Sequence, residues 1–341
     1  MNQKKNYLVV GRGSTAIYLI LHNHCYNKEI IVPSNICYAA ILPIYYSGNI
    51  PHFVDINYPS GNLSAPNIAQ AINENTGAVI FPYMYGNITP EIHEIKRLCK
   101  KNHLLLIEDC ASAMGGSIDS LPVGYFGDYA VFSTGHAKNV DLDNGGLIAT
   151  NFPLNNLLAT YQELPLFTPQ ISQNQSVFTH DYNLLRRSNN LEGVKSLFDS
   201  RDNYKNLFLY QLNDYTLEKK IIDSFFTVEK YKKIKLQKYQ LFKKNLPTEI
   251  CYHYNPGSLP WRFSILIKNM EQKQAIINKL LSENLFVSDW YPCIAPAFND
   301  NKNYPNAKKM EKEILNFSLL DNEKNIIKIC DIIKSIISSG A

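Results

Sequence analysis

Through the first 150 residues of this 341-residue chain, short apolar runs alternate with stretches whose apolar residues recur every three or four positions. Residues 29–33 (EIIVP), 50–56 (IPHFVDI), 78–83 (AVIFPY), 103–107 (HLLLI), 129–132 (YAVF) and 147–150 (LIAT) predict buried strands. The stretches between them, 15–22, 38–46, 67–72 and 90–101, predict helices; the last carries Ile92, Ile95 and Leu98 at helical spacing behind Pro90. Strands alternating with helices predict an α/β fold, a mostly parallel central sheet with helices on both faces. Such sheets take their ligands beyond the carboxyl ends of the strands.

From residue 152 to about 213 the pattern weakens into Asn- and Gln-rich sequence with short helices, a stretch expected to be functional or packed on a partner. Residues 216–246 predict one long helix or two. A strand at 261–267 (WRFSILI), a helix at 272–283, a β-rich stretch at 285–291 and a terminal helix at 323–338 follow. The chain exceeds what one core usually serves, and the expected division is a large domain at 1–230 and a smaller C-terminal α+β domain at 231–341.

Composition narrows the class without changing this outline. Apolar residues are 45% and charged residues 19%, a globular balance, and Gly (16) and Pro (17) are too few for a fibrous or linker-rich protein. The net charge of +4 is uneven, with 9 Lys/Arg against 11 Asp/Glu in residues 1–150 and 25 against 19 beyond. The excess gathers at 230–244, where lysines interleave with apolar residues at helical spacing, so a solvated helix face is expected rather than a nucleic-acid stripe. Seven scattered cysteines without a CxxC pair suggest neither a disulfide scaffold nor a zinc site. The polar, basic start at 1–6 leads into an apolar run at 7–10 too short for a signal peptide, and no stretch reaches the roughly eighteen apolar residues of a membrane span. A reducing cytoplasm is the expected location, with no membrane, nucleic-acid or metal partner.

Four local features fall at strand ends or helix starts. Gly11-Arg12-Gly13-Ser14-Thr15-Ala16 opens a helix with free backbone N–H groups and two hydroxyls, which suits a phosphate; a plain helix cap is the alternative reading. Glu108-Asp109 places two carboxylates at the end of a buried strand, costly there without a partner such as a metal, a basic side chain or a protonated ring nitrogen. In Ser133–Lys138 (STGHAK) a lysine follows a buried strand, five residues past a serine, and is a candidate imine-forming amine. Asp143-Asn144-Gly145-Gly146 is a tight turn that braces that lysine loop.

These segments resemble the DegT/DnrJ/StrS family of pyridoxal phosphate (PLP) enzymes, best known as nucleotide-sugar aminotransferases. The matching stretches are GRGSTAIYLIL, IIVPSNICYAAILPIYYSGNIPHFVDI, AVIFPYMYGNITPEIHEIKRLCKKNHLLLIEDCASAMGG, VGYFGDYAVFSTGHAKNVDLDNGGLIAT and, more loosely, SDWYPCIAPAFNDNKNYPNA. The resemblance implies the type I aminotransferase fold, a homodimer with shared active sites, and transfer of an amino group from an amino acid, glutamate by analogy, to a keto sugar carried on a nucleotide. Lys138 then matches the lysine that bonds to PLP, and Asp109 the carboxylate that pairs with its ring nitrogen. Gly13, Ser14, Thr15 and Ser133 match the phosphate-binding segments. Ser112 stands where the family has Gln or His, and Cys37 where an aromatic usually covers the ring. The family's Asn that crosses to the other subunit's phosphate matches Asn183 in HDYNLLRRS, or Asn213 in LNDYTLEKKI.

Departures sit around the substrate. The Gly of the usual Gly-x-Asn-x-Arg stretch is replaced by Asp181, and its Arg is displaced to Arg186. His136, Tyr291, Trp290 and Arg262 are candidates for shaping the substrate pocket. A PLP-dependent sugar dehydratase is the enzymatic alternative; in those relatives His often replaces the lysine, so Lys138 favours transamination. A non-catalytic PLP-fold regulator is the other alternative, and the pair Asp109 and Lys138 speaks against it.

Overall fold

The computed structural model of the chain describes residues 6–339, so nearly all of the polar, basic start lies outside the described residues. The chain runs β1 (Asn6–Val10), α1 (Gly13–His24), β2 (Glu29–Pro33), α2 (Tyr38–Tyr46), β3 (Ile50–Val54), α3 (Ala65–Ala71), β4 (Thr76–Pro82), α4 (Ile92–Lys101) and β5 (Leu105–Asp109). A small hairpin, β6 (Ser117–Ile118) and β7 (Leu121–Pro122), precedes β8 (Tyr129–Ser133) and β9 (Gly146–Thr150). Helices follow: α5 (Asn155–Gln162), α6 (Pro169–Arg187), α7 (Leu191–Asp199), α8 (Lys205–Phe208), α9 (Tyr215–Phe226) and α10 (Val228–Asn245). The chain ends with β10 (Phe263–Leu266), α11 (Met270–Ser282), α12 (Pro305–Glu313), β11 (Ile314–Phe317) and α13 (Glu323–Ser339).

Seven strands form the central sheet in the order β1-β9-β8-β5-β4-β2-β3. Neighbours from β8 to β3 pair in parallel, and β9 pairs antiparallel with both β8 and β1. Alternate residues feed two separate cores, because successive side chains of a strand point to opposite faces. Ile30, Val32, Ala78, Ile80, Ile107 and Val131 pack in one cluster with residues of α1 and α2. Ile31, Val79, Phe81, Leu106, Ala130 and Phe132 pack in the other, with Ile68 of α3 and Ile92 and Ile95 of α4. A third cluster joins Phe242 of α10 to Phe263, Ile265, Leu315 and Phe317 of the β10–β11 pair and to Ile329 and Ile333 of α13.

The C-terminal half departs from its pattern in two places and settles a third. Residues 152–213 are largely helical, and α6 alone is 19 residues long. Its anchors are sparse, chiefly Phe178 and Tyr182 one turn apart, so the stripe is too thin to register among Gln and Asn. Residues 216–246 divide into α9 and α10 at Thr227, whose backbone leaves the helical region. The 285–291 stretch makes only an isolated bridge, Ser288 to Asn316, and β10 pairs instead with β11, four residues too short for periodicity to mark. Among the described residues no helix is long and apolar enough to cross a membrane.

Candidate active site

A cavity of about 250 Å³ opens at the carboxyl ends of β5 and β8 and collects residues scattered from Arg12 to Tyr291. The start of α1 forms part of its wall. Arg12, the residue before the helix, is extended and gives no side-chain cap, and the first intrahelical bond is made by the Ala16 N–H to the Arg12 carbonyl. The N–H groups of Gly13, Ser14 and Thr15 therefore have no helical acceptor, and they carry the positive end of the helix dipole. Ser133, at the end of β8, lies against them: a Cβ on Gly13 would stand 3.5 Å from the Ser133 Cβ.

The helix start and the lysine loop are held together by glycine. The Gly145 N–H donates to the Gly11 carbonyl at 3.0 Å, and a Cβ on Gly146 would stand 2.6 Å from the Arg12 carbonyl carbon. The Asp143–Gly146 turn thus braces the lysine loop directly on the start of α1. Within the loop the Ala137 N–H donates to Asp141 Oδ2 at 2.6 Å, and Trp261 Nε1 donates to the Ala137 carbonyl at 2.5 Å. Asn139 donates to the carbonyls of Ser112 and Met114, which ties the loop to the turn after β5.

Lys138 and Asp109 both line the cavity. Burial pushes the Lys138 amine below its ordinary value, with Arg262 and Arg12 adding to the shift and Cys37 and Asp109 opposing it. Burial also raises the Asp109 carboxyl, against the attraction of Lys138 and a hydrogen bond from the Ala111 N–H at 3.0 Å. Cys37 lies on the same wall, and its thiol is raised by burial. Tyr38 and Trp290 bring aromatic faces to the cavity; Tyr38 is packed among Phe178, Tyr182, Phe198 and Phe208.

Of the residues singled out in the sequence, Gly13, Ser14, Cys37, Asp109, Ser133, His136, Lys138 and Tyr291 meet at this cavity. Thr15 does not. One residue further round the helix, it is fully buried and its hydroxyl donates to the Phe208 carbonyl at 3.0 Å. Ser112 reaches the cavity through Tyr291, the two hydroxyls lying 3.5 Å apart. His136 stands at the rim, its side chain 85% exposed. Asn183 is partly exposed on α6 and Asn213 is exposed before α9; neither lines the cavity of its own chain. Arg186 pairs bidentately with Asp289, both contacts at 2.8 Å.

Two residues stand out that the pattern concealed. Arg12 lines the cavity but sits between glycines that drew the attention to themselves. Lys235 belongs to the basic stripe expected to be solvated. Lys230, Lys233, Lys243 and Lys244 are indeed exposed, but Lys235 is buried, and its amine donates to Asn139 Oδ1 at 2.9 Å and the Trp261 carbonyl at 3.1 Å. One lysine turned inward cannot be told from its neighbours by composition.

Residues 2–163 match the model of the DegT/DnrJ/EryC1/StrS aminotransferase family. The chain is 32% identical to the GDP-perosamine synthase of Vibrio cholerae over 149 residues, 43% of this chain and 40% of that protein. The match thus spans about two fifths of the curated relative's length. Across nearly the whole chain the fold is that of an aminotransferase, TlmJ, from Streptoalloteichus hindustanus, with a TM-score of 0.76 at 14% identity over 98% of this chain and 86% of that one. It is also that of an E. coli GDP-4-keto-6-deoxy-D-mannose-3-dehydratase solved with hydrated PLP, with a TM-score of 0.70 at 19% identity over 97% and 88%. At such identities the likeness establishes the fold.

Proposed function

From the match of residues 2–163 to the DegT/DnrJ/EryC1/StrS aminotransferase family model, we propose that this chain is a PLP-dependent aminotransferase of that family. It moves an amino group from an amino acid, glutamate by analogy, to the keto carbon of a nucleotide-linked sugar. The observation that carries the proposal is the convergence of Lys138 and Asp109 on one cavity that the uncapped start of α1 also lines.

The residues present fit the cofactor. A buried amine kept below its ordinary pKa, a carboxylate with acceptor capacity left over, and a cationic, hydroxyl-bearing helix start match an aldehyde, a ring nitrogen and a phosphate. When bound, PLP supplies an electrophilic carbon that takes up the amino group and a ring that accepts the electron pair left by a broken C–H bond. The protein does the rest. Ser14, Ser133, Arg12 and the first N–H groups of α1 bind the phosphate. Asp109, as a carboxylate, would hold a proton on the ring nitrogen through a charge-assisted hydrogen bond. Lys138 would hold the cofactor at its aldehyde carbon and, as a neutral amine, would carry a proton to and from the substrate carbon.

The proposal includes a homodimer in which Asn183, or else Asn213, reaches the other subunit's cofactor phosphate. It also keeps the division near residue 230, supported by the separate core under β10, β11 and α13. A cytoplasmic setting agrees with seven free cysteines.

The test is reconstitution with PLP, borohydride reduction and peptide mapping, then labelled glutamate with a panel of keto nucleotide sugars. The expected result is a pyridoxyl adduct on Lys138 and label in an amino sugar. An adduct on another lysine, or none, overturns the proposal.

A further inference from the structure

Among the described residues, one cation of the cavity wall has no part in the roles above: Arg262, which precedes β10. Its guanidinium carbon lies 3.9 Å from the centre of the Trp261 ring and 4.7 Å from that of Phe286, so aromatic faces hold it in place. Nη1 is buried and has no hydrogen-bond partner. Burial lowers the pKa of the group to about 10, and the opposing influence comes from Tyr291, a neutral phenol, rather than from a carboxylate.

Four other inward-facing cations have acceptors. Arg186 is paired to Asp289, Lys273 donates to the carbonyls of Glu311 and Lys312, Lys235 donates to Asn139 and Trp261, and Arg12 donates to the Leu207 carbonyl. A buried guanidinium without a counter-charge is costly, and the cost falls when an anion arrives. With two rings packed against the guanidinium, its N–H groups are the route of approach, and their fork matches a carboxylate. The cofactor's phosphate is already served by Arg12 and the start of α1. Because Nη1 is buried, its partner has to enter the cavity, which a compact amino acid does more readily than the diphosphate of a nucleotide.

We infer that Arg262 is the anchor for a carboxylate of the amino donor and sets the donor's nitrogen-bearing carbon beside Lys138. The inference rests on the reading of the cavity as an aminotransferase site.

The experiment measures binding rather than turnover. Glutarate, a dicarboxylate that cannot react, and uridine diphosphate are titrated calorimetrically into wild type, Arg262→Gln and Arg262→Lys, each loaded with PLP; PLP affinity is measured separately by absorbance. The expected result is a glutarate Kd at least about tenfold higher in Arg262→Gln. A smaller rise is expected in Arg262→Lys, which keeps the charge without the fork. PLP and uridine diphosphate affinities are expected to stay within twofold. An unchanged glutarate Kd overturns the inference. So does a loss confined to PLP, which makes Arg262 a phosphate anchor, or one confined to uridine diphosphate, which makes it a nucleotide contact. Should Arg262→Gln not fold, Arg262→Lys decides by the same comparison. If wild type retains no PLP, the aminotransferase reading fails by itself. Glutarate titrated into the cofactor-free proteins then decides the carboxylate site, a tenfold difference supporting it and equal affinities overturning it.

Discussion

Two carboxylates stand side by side at the end of β5 and serve opposite layers of the molecule. Glu108 is fully buried on the α3–α4 side, and four donors converge on it: the N–H groups of Gly124, Phe126 and Gly127 and the hydroxyl of Tyr83, all between 2.6 and 2.8 Å. Asp109 faces the cavity and has one such donor, the Ala111 N–H. A carboxylate accepts about four hydrogen bonds. Glu108 is therefore saturated and holds the 124–127 loop in place, while Asp109 has capacity left for a ligand. The same difference separates two lysines on either side of Asn139, the buried Lys235 and the half-buried Lys138. Lys235 is committed to Asn139 and Trp261, whereas Lys138, which lines the open cavity, has no hydrogen-bond acceptor among the described residues. Burial alone does not mark a functional group; unspent bonding capacity does.

The contrast can be broken most sharply at Lys138. Lys138→Ala is expected to bind PLP through its phosphate and lose at least ten-thousandfold in transamination, about 5 kcal/mol of transition-state stabilisation, read by stopped-flow half-reactions with glutamate. Glu108→Gln tests the saturated member. Replacing a charged acceptor of three N–H groups is expected to cost about 3 kcal/mol of stability in denaturant titrations, with the folded fraction as active as wild type. Asp109→Asn is expected to do the reverse. Its stability and PLP occupancy hold, but the glutamate half-reaction slows on the order of a hundredfold, about 2.7 kcal/mol, because an amide leaves the ring nitrogen unprotonated. Near wild-type rates there would make Asp109 structural.

The lysine pair can be sharpened by pH. Burial lowers the Lys235 pKa from 10.5 to about 7, with Arg262 adding to the shift and Asp141 opposing it. Between those values the unfolded chain binds a proton that the folded protein does not, so stability rises as pH rises. From pH 7 to 9, wild type is expected to gain on the order of 2 kcal/mol relative to Lys235→Met in denaturant melts. A gap that does not change with pH would mean that Lys235 titrates normally. The smallest effect belongs to the rim: His136→Ala is expected to change stability by less than about 0.5 kcal/mol and to leave the glutamate half-reaction intact.

Legibility followed distance along the chain. Most of the strand–helix alternation up to residue 150, though not β1 or the β6–β7 hairpin, was readable, as were the helix-opening glycines, the lysine after β8 and the glycine turn that braces it, because each depends on neighbours within a few residues. Residues 152–213 were not, since a 19-residue helix anchored by Phe178 and Tyr182 leaves little periodic signal. The sequence by itself determined the layered α/β architecture and the composition of the site segments, since alternation and turn chemistry are local. Only the tertiary structure decided which member of each like pair faces the cavity. Asp109 differs from Glu108 by the alternation of one strand and the donors each meets. Thr15 turns from Ser14 by one step of a helix. Lys235 is drawn inward by acceptors from Asn139 and Trp261, 96 and 26 residues away. Those outcomes depend on what lies opposite each side chain once the sheet is layered, and a partner so distant in the chain leaves no mark on the residues beside it.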